Sequence, residues 1–234
     1  MKVAVVTGGS RGIGAATVTK FAKEGYTVVA VYNSGKQLAT ELAAKLNGEG
    51  GDVHAMHADL SCPTQIAELF TQIAIYFKKI DVLVNNAAVS VSGLVQDIDT
   101  ETLDKIWSIN ARAPYLCCAY ALPLLKKGQD ASVVNVSSVW GVCGASCEAA
   151  YSMTKHAVVG LTRSLAEEWK DVPVRVSCIC PPFVRTDMTA HYSEQDISSF
   201  EQEHAVRAYS AEEVASDIFC LAIHGKNGTI KLEK

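Results

Sequence analysis

At 234 residues, 49% of them hydrophobic and 20% charged, the chain has apolar material for one large core and no bias toward disorder or fibre. A net charge of −4, with no run of Lys or Arg longer than Lys78-Lys79 and Lys126-Lys127, excludes a broad nucleic-acid-binding face. No apolar stretch is long enough to span a bilayer, which excludes a helical membrane protein, and eight scattered cysteines read as reduced thiols.

The chain opens on an apolar run, Val3 to Thr7, directly after Met1-Lys2. That start has no secretion signal, so a cytoplasmic protein is expected. A helical pattern follows near 12–24, then a strand Thr27 to Tyr32, a helix near 35–47, a strand Val53 to Ala58 and a helix near 63–78. Next come a strand Asp81 to Asn85, a long helix near 100–126, a strand Ser132 to Ser137 and a helix near 149–170. Arg175 to Cys180, a helix near 211–222 and Thr229 to Leu232 complete the series. Most strand runs are apolar at both alternating positions, as strands covered on both faces must be. The alternation predicts an α/β fold: a Rossmann-type, doubly wound, seven-stranded parallel sheet with helices on both faces, three layers in all. No repeat or low-complexity linker divides it, so residues 1–234 are expected to be one domain. Segment 187–210 interrupts the pattern; it is polar, carries His191, Tyr192 and His204, and follows a strand on the side where such sheets bind ligands.

Thr7-Gly8-Gly9-Ser10-Arg11-Gly12-Ile13-Gly14 joins the first strand to the first helix. Glycines let the backbone turn tightly and approach a pyrophosphate, whose charge is met by free amides and the positive end of the helix dipole. A tight strand-to-helix connection would need some of the same residues, but this one sits in the first βαβ unit, where such folds hold nucleotide. After the second strand, Tyr32-Asn33-Ser34-Gly35-Lys36 offers no carboxylate to a ribose 2′-hydroxyl. With Arg11 nearby, this favours NADP(H) and leaves NAD(H) open. Asp59 and Leu60 end the third strand, where Asp59 can accept from an adenine amino group or cap the helix that starts near Pro63.

Tyr151-Ser152-Met153-Thr154-Lys155 puts a phenol and an ammonium four residues apart, on one helical face. A phenol titrates at about 10, too high for neutral acid-base work, and a nearby cation favours the phenolate. The motif alone is often a surface pair. Here Ser137-Ser138, Asn85-Asn86-Ala87-Ala88 and Asn110 precede it in one chain.

In these motifs the sequence resembles the classical short-chain dehydrogenases/reductases, and within them it is most similar to the 3-oxoacyl-[acyl-carrier-protein] reductases, over nearly its whole length. The resemblance implies Asn110, Ser138, Tyr151 and Lys155 as catalytic residues, with no metal. It implies cofactor contacts from Gly8, Ser10, Arg11, Gly12, Ile13, Gly14, Asn33, Ser34, Asp59, Leu60, Asn86, Ala87, Ala88, Tyr151, Lys155, Pro181, Val184 and Thr186. In its terms Tyr151 donates a proton to a carbonyl oxygen that Ser138 polarises, Lys155 holds the nicotinamide ribose and lowers the Tyr151 pKa, and Asn110 keeps a water in a proton path. It also implies a homotetramer or homodimer, and an acyl-thioester or small ketone substrate with acyl carrier protein as a partner. A non-catalytic nucleotide sensor on the same fold is the alternative class, though it commonly lacks the Tyr or the Lys.

Ala88 stands where the family has glycine, Pro182 replaces the usual glycine after the sixth strand, and the tail Gly228 to Lys234 has no Asp-Gly-Gly. The substrate pocket is expected from Val89 to Leu94, Trp140 to Cys147 and 187–210, with Trp140 either stacking on substrate or filling space. Lys126 and Lys127 are the candidates to meet an acidic carrier.

Overall fold

The computed structural model describes residues 1–204 and 207–232. Its main sheet has seven parallel strands: β1 (Val3–Thr7), β2 (Thr27–Tyr32), β3 (Asp52–His57), β4 (Val82–Asn85), β5 (Ala131–Val136), β6 (Val174–Cys180) and, after two short strands named below, β9 (Ile230–Leu232). Their order is β3-β2-β1-β4-β5-β6-β9, so the chain winds outward one way from β1 and then returns to wind the other way from β4. The gap between the carboxyl ends of β1 and β4 is the switch point of the fold.

Alternation along the strands feeds two cores. Val5, Val29, Leu83, Val133 and Val176 pack against α3 (Pro63–Tyr76), α5 (Ala113–Leu125) and the end of α6 (Ala149–Glu168). On the opposite face, Val6, Val28, Val84, Val134 and Val136 pack against α1 (Gly12–Lys23), α2 (Lys36–Gly48) and α8 (Ala211–His224). Burial on both faces is why the strand runs are continuously apolar.

The long helix expected near 100–126 is instead α4 (Thr100–Trp107) and α5, separated by one π-helical turn over Ser108–Arg112. Pro114 accounts for it: its missing N–H is the donor that an α-helix would bring to the Asn110 carbonyl, so the turn widens there. Asn110, expected to be functional, therefore sits on the bulge.

Segment 187–210 is not irregular throughout. It contains α7 (Glu194–His204), and β8 (Tyr209–Ser210) pairs in parallel with β7 (Val184–Arg185) as a separate two-stranded sheet. Arg185 holds the start of α7 with a forked ion pair to Glu194, at 2.5 and 2.9 Å. Of the tail singled out in the sequence, Glu233 and Lys234 lie outside the described residues.

Candidate active site

The glycine turn reaches the switch point because Thr7 ties β1 to the end of β4. Its hydroxyl accepts the N–H groups of Asn86 and Ala87 at 2.9 and 3.0 Å, and the Asn86 amide donates back to the Thr7 carbonyl at 2.9 Å. Gly8 has φ +66°, and a Cβ on Gly14 would run into the Gly8 carbonyl, so the turn admits only glycine at both. The first amides of α1 have no side-chain cap, since Arg11 at its N-cap makes none, which leaves them free to meet an anion.

A cleft of about 500 Å³ opens above this turn. It is lined by Gly8, Ser10, Arg11, Gly12, Ile13 and Gly14, by Asn33 and Ser34, by Asp59 and Leu60, by Asn86, Ala87 and Ala88, and by Tyr151, Lys155 and Thr186. That volume falls in the usual range for a small-molecule site. The fit to a dinucleotide rests on the glycine cradle and the uncapped amides. Arg11 reaches Ser34, Nη2 to Oγ at 3.4 Å, so a guanidinium stands at the rim beyond β2. Asp59 lines the cleft and also serves the turn before α3, its Oδ1 accepting from the N–H and hydroxyl of Ser61 at 2.9 and 2.7 Å.

Two further residues expected to contact the cofactor, Pro181 and Val184, are buried at the base of the loop that follows β6. Val184 is buried in the core, and the Pro181 carbonyl accepts the Val139 N–H at 2.8 Å, so both shape the loop that presents Thr186. Val31, Ala58, Ile109 and Val136, which the motifs did not single out, also line the cleft, as do Tyr32, Gly35 and Ser137 of the quoted motifs and Val89, Ser90, Asp187 and Met188 from the segments expected to form the substrate pocket. Val31, Ala58 and Val136 flank motif residues at strand ends, where proximity was the available signal; Ile109 enters through the π turn and had none.

The structure gives the paired serines different tasks. Ser137 donates to the Lys155 carbonyl at 2.8 Å and fixes α6 to β5, whereas the Ser138 hydroxyl accepts the Trp140 N–H at 3.2 Å and hydrogen-bonds with Tyr151. Lys155 is 3% exposed and donates to the Val136 carbonyl at 3.0 Å, with its Nζ 5.5 Å from the centre of the Tyr151 ring. Burial lowers its pKa to about 8, with Cys178 and Cys180 pulling the other way.

The expected lowering of the Tyr151 pKa is corrected here. Burial raises it, Glu148 adds to the rise, and the Ser138 hydrogen bond only partly opposes them. Tyr151 is thus held as the protonated phenol, the form that can donate. Asn110, expected to keep a water in a proton path, also makes hydrogen bonds within the protein. Its Oδ1 accepts the Val89 N–H at 2.9 Å, and its Nδ2 donates to the Val89 carbonyl at 2.8 Å and to Thr154 Oγ1 at 3.2 Å, making it a clamp on the loop after β4.

At the substrate end, Trp140 meets Phe200 edge-on at 5.9 Å, and Phe183 lies 5.8 Å from Phe200 and 5.6 Å from Tyr192. Trp140 therefore packs α7 against the loop after β5. Lys126 and Lys127 lie between α5 and the start of β5, at the amino-terminal end of the strands, whereas the cleft opens at their carboxyl ends. They are in the wrong place to receive a carrier at the mouth.

A doubly wound parallel sheet with a glycine cradle and an adjoining Ser-Tyr-Lys group at its switch point defines a nucleotide-dependent redox enzyme. Residues 2–197 match the family model "short chain dehydrogenase". The chain is 33% identical over 221 residues to a 3-oxoacyl-[acyl-carrier-protein] reductase of Synechocystis, covering 94% of this chain and 89% of that one. Among solved structures it is similar to a short-chain dehydrogenase from Burkholderia cenocepacia in complex with NADP, with TM-score 0.91, 26% identity and coverage of 100% and 96% of the two chains. It is also similar to a blue fluorescent protein from a metagenomic library in complex with NADPH, with TM-score 0.90, 27% identity and coverage of 99% and 95%. The chain belongs to the short-chain dehydrogenase family and is an NAD(P)-dependent oxidoreductase. Among the described residues, no helix is long and apolar enough to cross a membrane.

Proposed function

We propose that this protein is an NADPH-dependent carbonyl reductase that converts a 3-oxoacyl thioester to the 3-hydroxyacyl thioester. The observation that carries it is Tyr151 and Lys155 lining the cleft together, one helical turn apart, with the buried Lys155 Nζ 5.5 Å from the centre of the Tyr151 ring.

The nicotinamide, when bound, supplies the hydride that reaches the carbonyl carbon. The glycine turn and the first amides of α1 would hold its pyrophosphate, Asp59 and Leu60 its adenine, and Lys155 and Thr186 the nicotinamide half, with Asn86, Ala87 and Ala88 also lining the site. Tyr151 gives its proton to the carbonyl oxygen, and Ser138 polarises that oxygen by hydrogen bonding. Lys155, with a pKa of about 8, carries a proton at neutral pH and can favour the phenolate that donation leaves. Asn110 keeps the loop from Val89 in place against the cleft. Arg11 and Ser34 supply the charge and hydroxyl for a 2′-phosphate, which supports NADPH over NADH.

The resemblance to the Synechocystis reductase supports the 3-oxoacyl group. The position of Lys126 and Lys127 withdraws the cationic face suggested for a carrier protein, so we assign the acyl thioester without its carrier. Exposed Trp107, Tyr115, Tyr120 and Met153 on α4, α5 and α6 support self-association as a homodimer or homotetramer, which light scattering tests. The reaction is tested by following NADPH absorbance with 3-oxoacyl thioesters and small ketones side by side. Turnover of the thioesters is expected. Preference for small ketones would reassign the substrate, and cofactor binding without turnover of any would leave a sensor.

A further inference from the structure

A second cavity, of about 350 Å³, opens at the end of the sheet opposite the cofactor cleft, where the amino-terminal ends of β1, β4, β5 and β6 meet the end of α8. Neither the cofactor nor the proton transfer uses it, and its volume still falls in the range of small-molecule sites. Lys2, Arg175, His224 and Lys226 line it, facing two carboxylates, those of Asp81 and Asp130. Tyr26, Val82 and Ile223 supply an apolar wall.

These charges do not cancel within the protein. Asp81 is 1% exposed and already engaged: its Oδ2 accepts the Val3 N–H and its Oδ1 the Gln129 N–H, both at 2.7 Å, and the Lys79 ammonium lies 3.0 Å away. Lys2, Arg175 and Lys226, by contrast, form no ion pair among the described residues. Carbonyls hold Arg175 instead, with Nη1 donating to Gly225 at 2.6 Å and Nη2 donating to Ala222 at 2.9 Å and to Asp130 at 3.3 Å. Those bonds fix the guanidinium and cover the negative end of the α8 dipole, yet they leave its formal charge in place. Lys2 is held by the opposite wall, its Nζ 5.7 Å from the centre of the buried Tyr26 ring. Asp130, at φ 53°, turns its carbonyl onto Arg175, and among the described lining residues its exposed carboxylate alone is left to oppose three cations.

We propose that this cavity is a second ligand site, separate from the cofactor cleft, and that it binds a small organic phosphate ester. A dianion answers the excess of cations, and a guanidinium held in one orientation between two lysines suits the several oxygens of a phosphate. A monovalent anion gains less from the same cations and meets the same repulsion from Asp130. A bare inorganic ion would leave the wall of Tyr26, Val82 and Ile223 against water, whereas the organic part of an ester covers it. A metal cation is excluded by the same count, because both oxygens of Asp81 are occupied by donors.

Phenyl phosphate and inorganic phosphate are titrated calorimetrically into the full chain at constant ionic strength, with NADPH saturating the cofactor cleft so that its glycine cradle is not read instead. Parent, the double variant K2Q/K226Q and D130N are compared, with circular dichroism and NADPH affinity as controls that all three should share. The parent is expected to bind phenyl phosphate more tightly than inorganic phosphate. K2Q/K226Q should weaken phenyl phosphate about tenfold, and D130N, which removes the opposing charge, should tighten it about threefold. No binding of either probe at millimolar concentration, binding that NADPH abolishes, or equal affinity in parent and K2Q/K226Q overturns the site. Inorganic phosphate binding as tightly as the ester overturns the assignment of an organic ligand.

Discussion

Asn110 and Val89 are 21 residues apart in the chain, yet the Asn110 amide exchanges two hydrogen bonds with the Val89 backbone, at 2.9 and 2.8 Å. The π turn caused by Pro114 carries the amide, and Val89 and Ser90 form part of the cofactor cleft. N110A should leave the Val89 N–H and carbonyl without these partners and cost about 1–3 kcal/mol of stability. Urea unfolding measures that loss, and hydrogen exchange should show faster opening at Val89 than in the parent. An unchanged midpoint with unchanged Val89 protection would remove the clamp from the account.

Arg11 reaches Ser34 at the rim where a 2′-phosphate would lie. R11A should weaken NADPH binding about tenfold and leave NADH binding within twofold, because only the phosphorylated nucleotide meets the guanidinium. Fluorescence titration with both nucleotides reads the difference. Equal losses for the two would mean that Arg11 acts on the shared pyrophosphate or on the turn itself.

Burial lowers the Lys155 pKa from 10.5 to about 8. Below pH 8 both folded and unfolded chains hold this proton, and the folded state bears the full cost of the buried charge. Between pH 8 and 10.5 the folded chain releases it first, so the penalty fades as pH rises. Relative to K155M, the parent should therefore gain stability across that window, by about 3 kcal/mol at most. Chemical unfolding of both proteins at several pH values gives the difference, and a difference that falls with pH contradicts the assignment.

Lys78 follows the end of α3 with φ 65°, a conformation that costs an L-residue about 1–2 kcal/mol. Glycine avoids this cost but loses more entropy on folding. K78G should raise stability by about 0.5 kcal/mol, seen as a small upward shift in Tm with activity unchanged. A lower Tm would show that the Lys78 side chain contributes more than its backbone strain costs.

Much of this architecture was legible in the chain because the strands are buried on both faces. Val28 to Val31 and Val133 to Val136 show this in composition alone, and each main-sheet strand lies within a residue or so of its expected span. The glycine turn and the Tyr151-Lys155 spacing were equally readable, since both motifs are local. The break at Ser108–Arg112 was harder to read: it depends on one missing N–H at Pro114 inside a run that is otherwise apolar and helical. The start of α7 was obscured by its polarity, with Ile197 its one fully buried residue among those described. The protonation of Tyr151 depends on burial and on Glu148, neither of which spacing reveals, and the Trp140–Phe200 contact joins segments far apart in sequence.

The most direct test is Y151F, which removes the phenolic proton and little else. NADPH consumption with a 3-oxoacyl thioester is measured for parent and variant, alongside NADPH affinity by fluorescence. We predict that kcat falls by a factor of about 100–10,000 while NADPH binds within a few-fold of the parent. Undiminished turnover in Y151F would contradict the assignment of Tyr151 as the proton donor.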